Sequence, residues 1–324
     1  MKIFIPMAGK GTRLRPFTLT CPKPLINILD KPIVEHLIDQ ITSKVKSNID
    51  EIVYILGDES YFNAEVVNSL NLISEKYNAK TKIYRQLEQL GTGHAIMCAE
   101  ESLSGPSIIA YADTMIQGNI EIDTKVDGII WVKKVDNPSA YGVVNLDNEN
   151  KITELIEKPA EFISDLAVVG IYYFKEAANL RGYLRKHLSE KLSPGKEYLL
   201  NYGIEKMIKN GDRFVPKEID IWMDCGTPEL LLNSTKIIMD TYHDNVDENR
   251  VLDKEVIIKP PVFIGKNVKI QTSTIGPYVS IGDNSRIENT KINNSIIFKS
   301  VELNNSDLEN SIICLLYTSP SPRD

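Results

Sequence analysis

Histidine and cysteine are scarce in this chain, four of each in 324 residues. Cys21, Cys98, Cys225 and Cys314 form no CxxC pair and share no metal-ligand spacing with the histidines, which excludes a zinc ribbon, a thioredoxin-type centre and a disulfide scaffold. A reduced, cytoplasmic setting is expected. No apolar run approaches the length of a membrane span, and the opening "MKIFIPMAG" has too short an apolar stretch and no small-residue cleavage site for a signal peptide. Basic residues are not in excess either: the formal net charge is −7, which argues against nucleic acid as a partner.

Against that acidic background, "MAGKGTRLRPFTLTCPKPL" (7–25) concentrates Lys10, Arg13, Arg15 and Lys23 with no acid before Asp30. Positive charge gathered at one place in an acidic chain points to a small anionic ligand. The glycines allow close backbone approach to phosphate. The spacing fits neither the Walker loop nor GxGxxG, since position 14 is leucine. Alone, a tight turn after a first strand accounts for it equally well.

The first three quarters alternate β-rich runs ("KIFIPMA", "EIVYILG", "KTKIYRQ", "PSIIAYAD", "GIIWVKKV") with helical patterns. One helix is expected over 32–44, opened by Pro32 and carrying Ile33, Val34, Leu37, Ile38 and Ile41 on one face. This βαβ alternation predicts an α/β fold with a doubly wound, mostly parallel, Rossmann-like sheet, whose ligands sit at the carboxyl ends of the strands. After a charged connection the pattern changes. From Ile264 an aliphatic residue recurs at 270, 275, 281, 287, 292, 297, 303, 308 and 313, a five-to-six-residue period that predicts hexapeptide-type β-helix coils. The expected domains are 1–245 (the α/β sheet domain), 246–255 (linker) and 256–313 (incomplete left-handed β-helix). "CLLYTSPSPRD" (314–324) resembles the in-frame translation of a sequencing-library adapter and is set aside, with the natural coils expected to continue. Coils with apolar faces and open ends lead to the expectation of a homo-oligomer for the untruncated protein.

"AGKGTRLRPFT" (8–18) followed by "PKPL" (22–25) resembles the signature of the sugar-1-phosphate nucleotidylyltransferases, which join an NTP and a sugar 1-phosphate into an NDP-sugar. Further motifs follow in the family's order. "QLEQLGTGHA" (86–95) resembles its base-reading segment, "YADT" (111–114) and "WMDCGTPE" (222–229) its metal-binding segments, and "YGVV" (141–144) and "EKP" (157–159) its sugar and phosphate contacts. The coils resemble the left-handed β-helix tail of longer members.

The resemblance implies that Ala8, Gly9, Gly11 and Thr12 hold the nucleotide phosphates, that Arg13 and Lys23 act in catalysis, and that Gln86, Gly91 and Thr92 read the base. It implies Mg²⁺ on Asp113 and Asp224, and sugar phosphate on Gly142, Glu157 and Lys158. The residues give each role a reason. A glutamine amide donates and accepts, matching an imide edge. N–H groups at a helix start are free to face a ligand. Two carboxylates from different strand ends suit a hard cation. Glu157 and Lys158 point to opposite sides of an extended segment unless the bend at Pro159 gathers them. Read without the resemblance, these positions are equally a helix start, two N-cap aspartates and two solvated charges. Ala112 replaces the family's usual glycine, Cys225 is read as packing, and His36, His94, His187 and His243 are read as helix-surface or packing residues.

No base is placed to deprotonate a nucleophile, and none is needed, because a sugar 1-phosphate is already anionic at neutral pH. The expected substrates are dTTP or UTP with glucose 1-phosphate. Val168 stands where N-acetylglucosamine-1-phosphate uridylyltransferases usually carry asparagine. Mannose-1-phosphate guanylyltransferase and a catalytically silent sugar-nucleotide-binding subunit are the alternatives. An acyltransferase, the activity often carried on β-helix coils, would need a histidine that 256–313 does not contain.

Overall fold

The computed structural model describes residues 1–45, 47–118, 120–241 and 255–314. The expected linker 246–255 and the terminal 314–324 lie outside the described residues, apart from Glu255 and Cys314. The chain forms two compact units, Met1–Lys10 with Val34–Trp222 and Gly11–Ile33 with the chain from Met223 onward.

The first unit is built on a nine-stranded sheet. Its strands are β1 (Lys2–Pro6), β2 (Glu51–Leu56), β3 (Lys80–Arg85), β4 (Ser107–Ala110), β5 (Gly128–Lys134), β6 (Gly142–Leu146), β7 (Ile152–Glu157), β8 (Leu166–Phe174) and β9 (Phe214–Glu218). The order β7-β6-β8-β4-β1-β2-β3 forms the main path, with β5 pairing β8 and β9. The half β4-β1-β2-β3 is parallel throughout. Ile3–Ile5, Ile52–Leu56 and Ile108–Ala110 are wholly buried, as strands covered on both faces require. From β8 onward the sheet turns mixed, β8 running antiparallel to β4, β5 and β6.

The β6–β7 pair is a hairpin. Its turn is made by Asp147, whose Oδ1 accepts from the N–H groups of Glu149 and Lys151, and by Asn150 at φ 60. Helix α1 runs Ile33–Thr42 and helix α2 Ala64–Lys76. Pro32 is not its first residue but part of a two-residue ladder against Asn27, and α1 begins just after it.

In the second unit the coils form three parallel sheets of short strands. Ile264 pairs with Ile281, Ile281 with Ile297 and Ile297 with Ile313, so successive coils take 17 and then 16 residues. The aliphatics from Ile264 to Ile297 in this series are buried in one core, each burial contributing about 2 kcal/mol. Asn267, Asn284, Asn289, Asn294, Asn305 and Asn310 occupy corners at positive φ, which asparagine tolerates better than other non-glycine residues. Helix α6 (Pro228–Thr241) lies on the coils through Asp240, which accepts from the Tyr278 hydroxyl at 2.9 Å. The 11–33 segment joins the same unit by an edge-on contact of Phe17 with Phe298, ring centroids 5.7 Å apart. No helix among the described residues is long and apolar enough to cross a membrane.

Candidate active site

The carboxyl ends of β1, β2, β3 and β4 form one edge of the first unit, and the sequence-derived residues of that unit gather there. β1 ends in the loop carrying Ala8 and Gly9, and the Ala8 carbonyl accepts from Gln89 Nε2 at 3.2 Å, tying this loop to the one after β3. Gln86 immediately follows β3, with its N–H on the Leu56 carbonyl at 2.7 Å and its side chain buried. Its Nε2 donates to the Gly91 carbonyl at 3.0 Å and lies 3.0 Å from His94 Nδ1. His94 is therefore not mere packing, and no local pattern marks it.

Gly91 stands at φ 115, ψ 174, a conformation essentially restricted to glycine, and precedes helix α3 (Thr92–Cys98). The expectation that the first N–H groups of α3 all face a ligand needs amending. The Gly93 N–H is bound to the Tyr198 carbonyl at 2.7 Å, and Thr92 uses its hydroxyl to accept the Leu200 N–H at 3.0 Å. The segment before helix α5 (Leu200–Lys209) thus clamps the loop after β3.

Glu157 closes β7 beside Gly142, the first residue of β6. A methyl group at Gly142 would stand 3.0 Å from Glu157 Oε2, 3.1 Å from Asn201 Nδ2 and 3.8 Å from Val168 Cγ2, so glycine keeps this floor open. Asn201 Nδ2 donates to Glu157 Oε2 at 2.8 Å, and Tyr172 donates its hydroxyl to Asn201 Oδ1 at 3.0 Å. The Tyr172 and Tyr111 rings meet edge to face, centroids 5.9 Å apart. Burial pushes the Tyr111 phenol up to about 12 and Tyr172 well above its ordinary value, so both remain protonated donors. The bend beside Glu157 falls one residue earlier than Pro159: Lys158 itself sits at φ 45, its N–H returning to the Tyr141 carbonyl at 3.0 Å. Asn201, Tyr172 and Tyr111 escaped the sequence reading. A tyrosine inside the apolar strand "LAVVGIYYF" was the available signal, because a buried phenol needs a partner.

The second unit carries Gly11, Thr12, Arg13, Lys23 and Asp224. Gly11 is left-handed at φ 60, and any side chain there would come within 2.9 Å of Lys23 Cβ and 3.1 Å of Thr18 Cγ2. Its carbonyl accepts from the Thr18 hydroxyl at 2.8 Å. Lys23 is buried in a short turn between Pro22 and Pro24, while Thr12 and Arg13 are exposed. A side chain at Gly226 would meet Asp224 Oδ1 at 2.8 Å and Arg13 Nη2 at 3.3 Å, so guanidinium and carboxylate converge on that glycine.

Asp113 lies three residues beyond β4, in the first unit, and Asp224, in the second, is the last residue of the strand Ile221–Asp224. Among the described residues no three or more His, Cys, Asp or Glu side chains gather as a metal cluster. Each carboxylate is a hard oxygen donor of the kind Mg²⁺ takes.

A Rossmann-like sheet with its loops at one strand edge, followed in the chain by a parallel β-helix, defines an α/β protein with a solenoid extension. More particularly, residues 4–241 match the family model described as nucleotidyl transferase, and the chain belongs to that family. The bifunctional protein GlmU of Methanocaldococcus jannaschii is 34% identical over 263 residues, covering 80% of this chain and 60% of that protein. GlmU of Methanococcus maripaludis is 30% identical over 274 residues, 80% of this chain and 62% of its own length. The chain therefore spans about three fifths of these relatives. Glucose-1-phosphate thymidylyltransferase of Streptomyces antibioticus is 28% identical over 323 residues, 92% of this chain and 87% of that protein. In fold, the chain resembles a solved UDP-glucose pyrophosphorylase complexed with UDP-glucose, with a TM-score of 0.60 and 22% identity over 74% of this chain and 99% of that one.

Proposed function

We propose that the protein transfers a nucleotidyl group from an NTP to a sugar 1-phosphate, with dTTP or UTP and glucose 1-phosphate as substrates. The observation that carries this reading lies in the first unit, where the loop after β3 is tied to the loop after β1 by Gln89 and to Glu157 through Leu200 and Asn201 at the start of α5. A base-reading loop, a phosphate loop and a hydroxyl-binding carboxylate are thereby held as one hydrogen-bonded body.

In the reaction, a phosphate oxygen of the sugar 1-phosphate attacks the α-phosphorus in line. The new O–P bond forms as the bond to the β-phosphate oxygen breaks, and pyrophosphate leaves with that electron pair. The nucleophile is already anionic, so the protein's task is to offset repulsion between two polyanions and align them. Arg13 and Lys23 supply positive charge to the triphosphate and to the leaving pyrophosphate. Glu157 accepts a sugar hydroxyl while Lys158 meets the sugar phosphate. Asp113 and Asp224 would hold Mg²⁺, which when bound neutralises phosphate charge. Val168, apolar and beside Gly142, favours glucose over a sugar whose acetamido group needs an amide partner.

Pyrophosphate release, measured for each of UTP, dTTP, GTP, CTP and ATP against glucose, N-acetylglucosamine and mannose 1-phosphates, tests the reading. Turnover confined to UTP or dTTP with glucose 1-phosphate is expected. Nucleotide binding without turnover on any pair would favour a silent binding subunit instead.

A further inference from the structure

Gln86 is nearly sealed from solvent, and its amide is committed on one side only. The Gly91 carbonyl can only accept, so the group facing it is the amide nitrogen, whose orientation needs no further assumption. The second hydrogen of that nitrogen faces His94 Nδ1, which must then be an acceptor, with the imidazole proton on Nε2. Both Nε2 hydrogens are spent. Oε1 has no partner among the described residues and is not enclosed away from solvent, so it is the one atom of this side chain open to a ligand.

We propose that His94 is a positioning residue for base selection: it holds the Gln86 amide so that Oε1 faces the base and favours bases that offer a ring N–H over those that offer a bare ring nitrogen. Uracil, thymine and guanine present an N–H at the centre of their pairing edge. Cytosine and adenine present an unprotonated nitrogen there, which would stand against Oε1 with no proton between them. The proposal rests on the reading of the loop after β3 as the base site. Burial holds the His94 imidazole below its ordinary pKa and outweighs the opposing pull of Glu88, which keeps Nδ1 free to accept. Protonating or replacing residue 94 leaves the Gly91 carbonyl alone to hold the amide, so the amide turns more readily and the preference narrows.

The test is equilibrium binding of UTP and CTP by calorimetry on the full chain, which needs no turnover. Wild type should favour UTP. His94→Leu should compress the UTP-to-CTP affinity ratio roughly five- to tenfold, the worth of one such hydrogen bond. His94→Asn, whose Oδ1 reaches about where Nδ1 stands, should restore it, and Gln86→Leu should remove most of it. His94→Met replaces the leucine variant if that one does not fold. If His94→Leu keeps the wild-type ratio while Gln86→Leu flattens it, the role of His94 is refuted and the base site stands. If Gln86→Leu leaves the ratio unchanged, the base site itself is wrong and the proposal falls with it.

Discussion

Gly91→Ala puts the geometry of the loop after β3 to a quantitative test. An alanine at φ 115, ψ 174 costs about 1–3 kcal/mol in backbone strain. Its methyl would also stand 2.6 Å from the Tyr198 carbonyl oxygen and 2.8 Å from the Tyr198 nitrogen, both rigid main-chain atoms. Those atoms hold the clamp together: the Tyr198 N–H reaches the Leu90 carbonyl at 2.8 Å, and the Tyr198 carbonyl takes the Gly93 N–H at 2.7 Å. Separating the two strands of backbone forfeits both bonds, about 1 kcal/mol each. The closed loop is therefore weakened by about 3–5 kcal/mol, which by conversion is a ceiling of roughly two to three and a half orders of magnitude in nucleotide affinity. Because a surface loop can open without unfolding the sheet, the expected signature is weak UTP binding and fast amide exchange at Gly93 and Tyr198, with a small change in melting temperature. Gly105→Ala is the control, since that glycine is also left-handed, at φ 69, but has no atom within 4 Å of a new methyl. Wild-type UTP affinity and wild-type exchange protection in Gly91→Ala would refute the reasoning.

Lys23→Met keeps most of the buried volume of that side chain and should lower kcat by roughly a hundredfold or more with little change in KM for the nucleotide, because the lost charge matters most as pyrophosphate departs; unchanged kcat removes Lys23 from the mechanism. Asp113→Asn and Asp224→Asn should each leave the fold and metal-free nucleotide binding intact but lower Mg²⁺-dependent turnover by orders of magnitude. Near-normal turnover in either variant would make that aspartate structural only. Tyr172→Phe leaves Asn201 Oδ1 without its donor and should destabilise the protein by about 1–3 kcal/mol in urea, and raise KM for glucose 1-phosphate more than for UTP; equal effects on the two substrates would count against the coupling to Glu157. Glu176 caps helix α4 (Ala177–Ser189), accepting from Gly105 and Ala178 N–H groups that hold its carboxyl below the ordinary 4.5. Its contribution, about 1 kcal/mol, is present above that value and lost as pH falls through the lower folded-state value, so the stability gap to Glu176→Ala should close in acid, and a gap constant from about pH 7 to about pH 3 would refute the cap.

What the sequence made legible is what local physics dictates. Parallel strands buried on both faces must be apolar runs, so β1, β2 and β4 stand within a residue or two of where the runs lie, while β3, at the sheet's edge, is only partly buried and is marked by Thr81, Ile83 and Tyr84 between charges. The coil period survives in the register itself, since Ile270 pairs with Ile287 and Ile287 with Leu303. The asparagines between them, compositionally indistinguishable from a polar loop, are the corners at positive φ that let each coil turn. The antiparallel half was hidden because direction is set by connections: the short turn at Asp147–Asn150 is what reverses the chain, and β8 then pairs across it. In the candidate site, single-residue motifs such as Gln86, Gly91 and Glu157 were readable, but their supports were not. Thr92 and Leu200 are 108 residues apart, and no spacing rule links them.

Those supports also fix a direction. The Leu200 N–H at one end can only donate, and the Glu157 carboxylate at the other can only accept. Asn201 gives its nitrogen to Glu157, so its oxygen faces Tyr172, and Tyr172 must spend its one proton there. One residue earlier, the Leu200 N–H is spent on the Thr92 hydroxyl. Adjacent residues at the start of α5 thus each commit a donor, one to the loop after β3 and one to the end of β7. Turning the Asn201 amide over would set its oxygen against Glu157 Oε2 and its nitrogen against the Tyr172 hydroxyl proton, and both bonds would be lost. A support of this kind is not locally encoded, and it fixes the carboxylate of Glu157 with one oxygen occupied and the other left for a ligand hydroxyl.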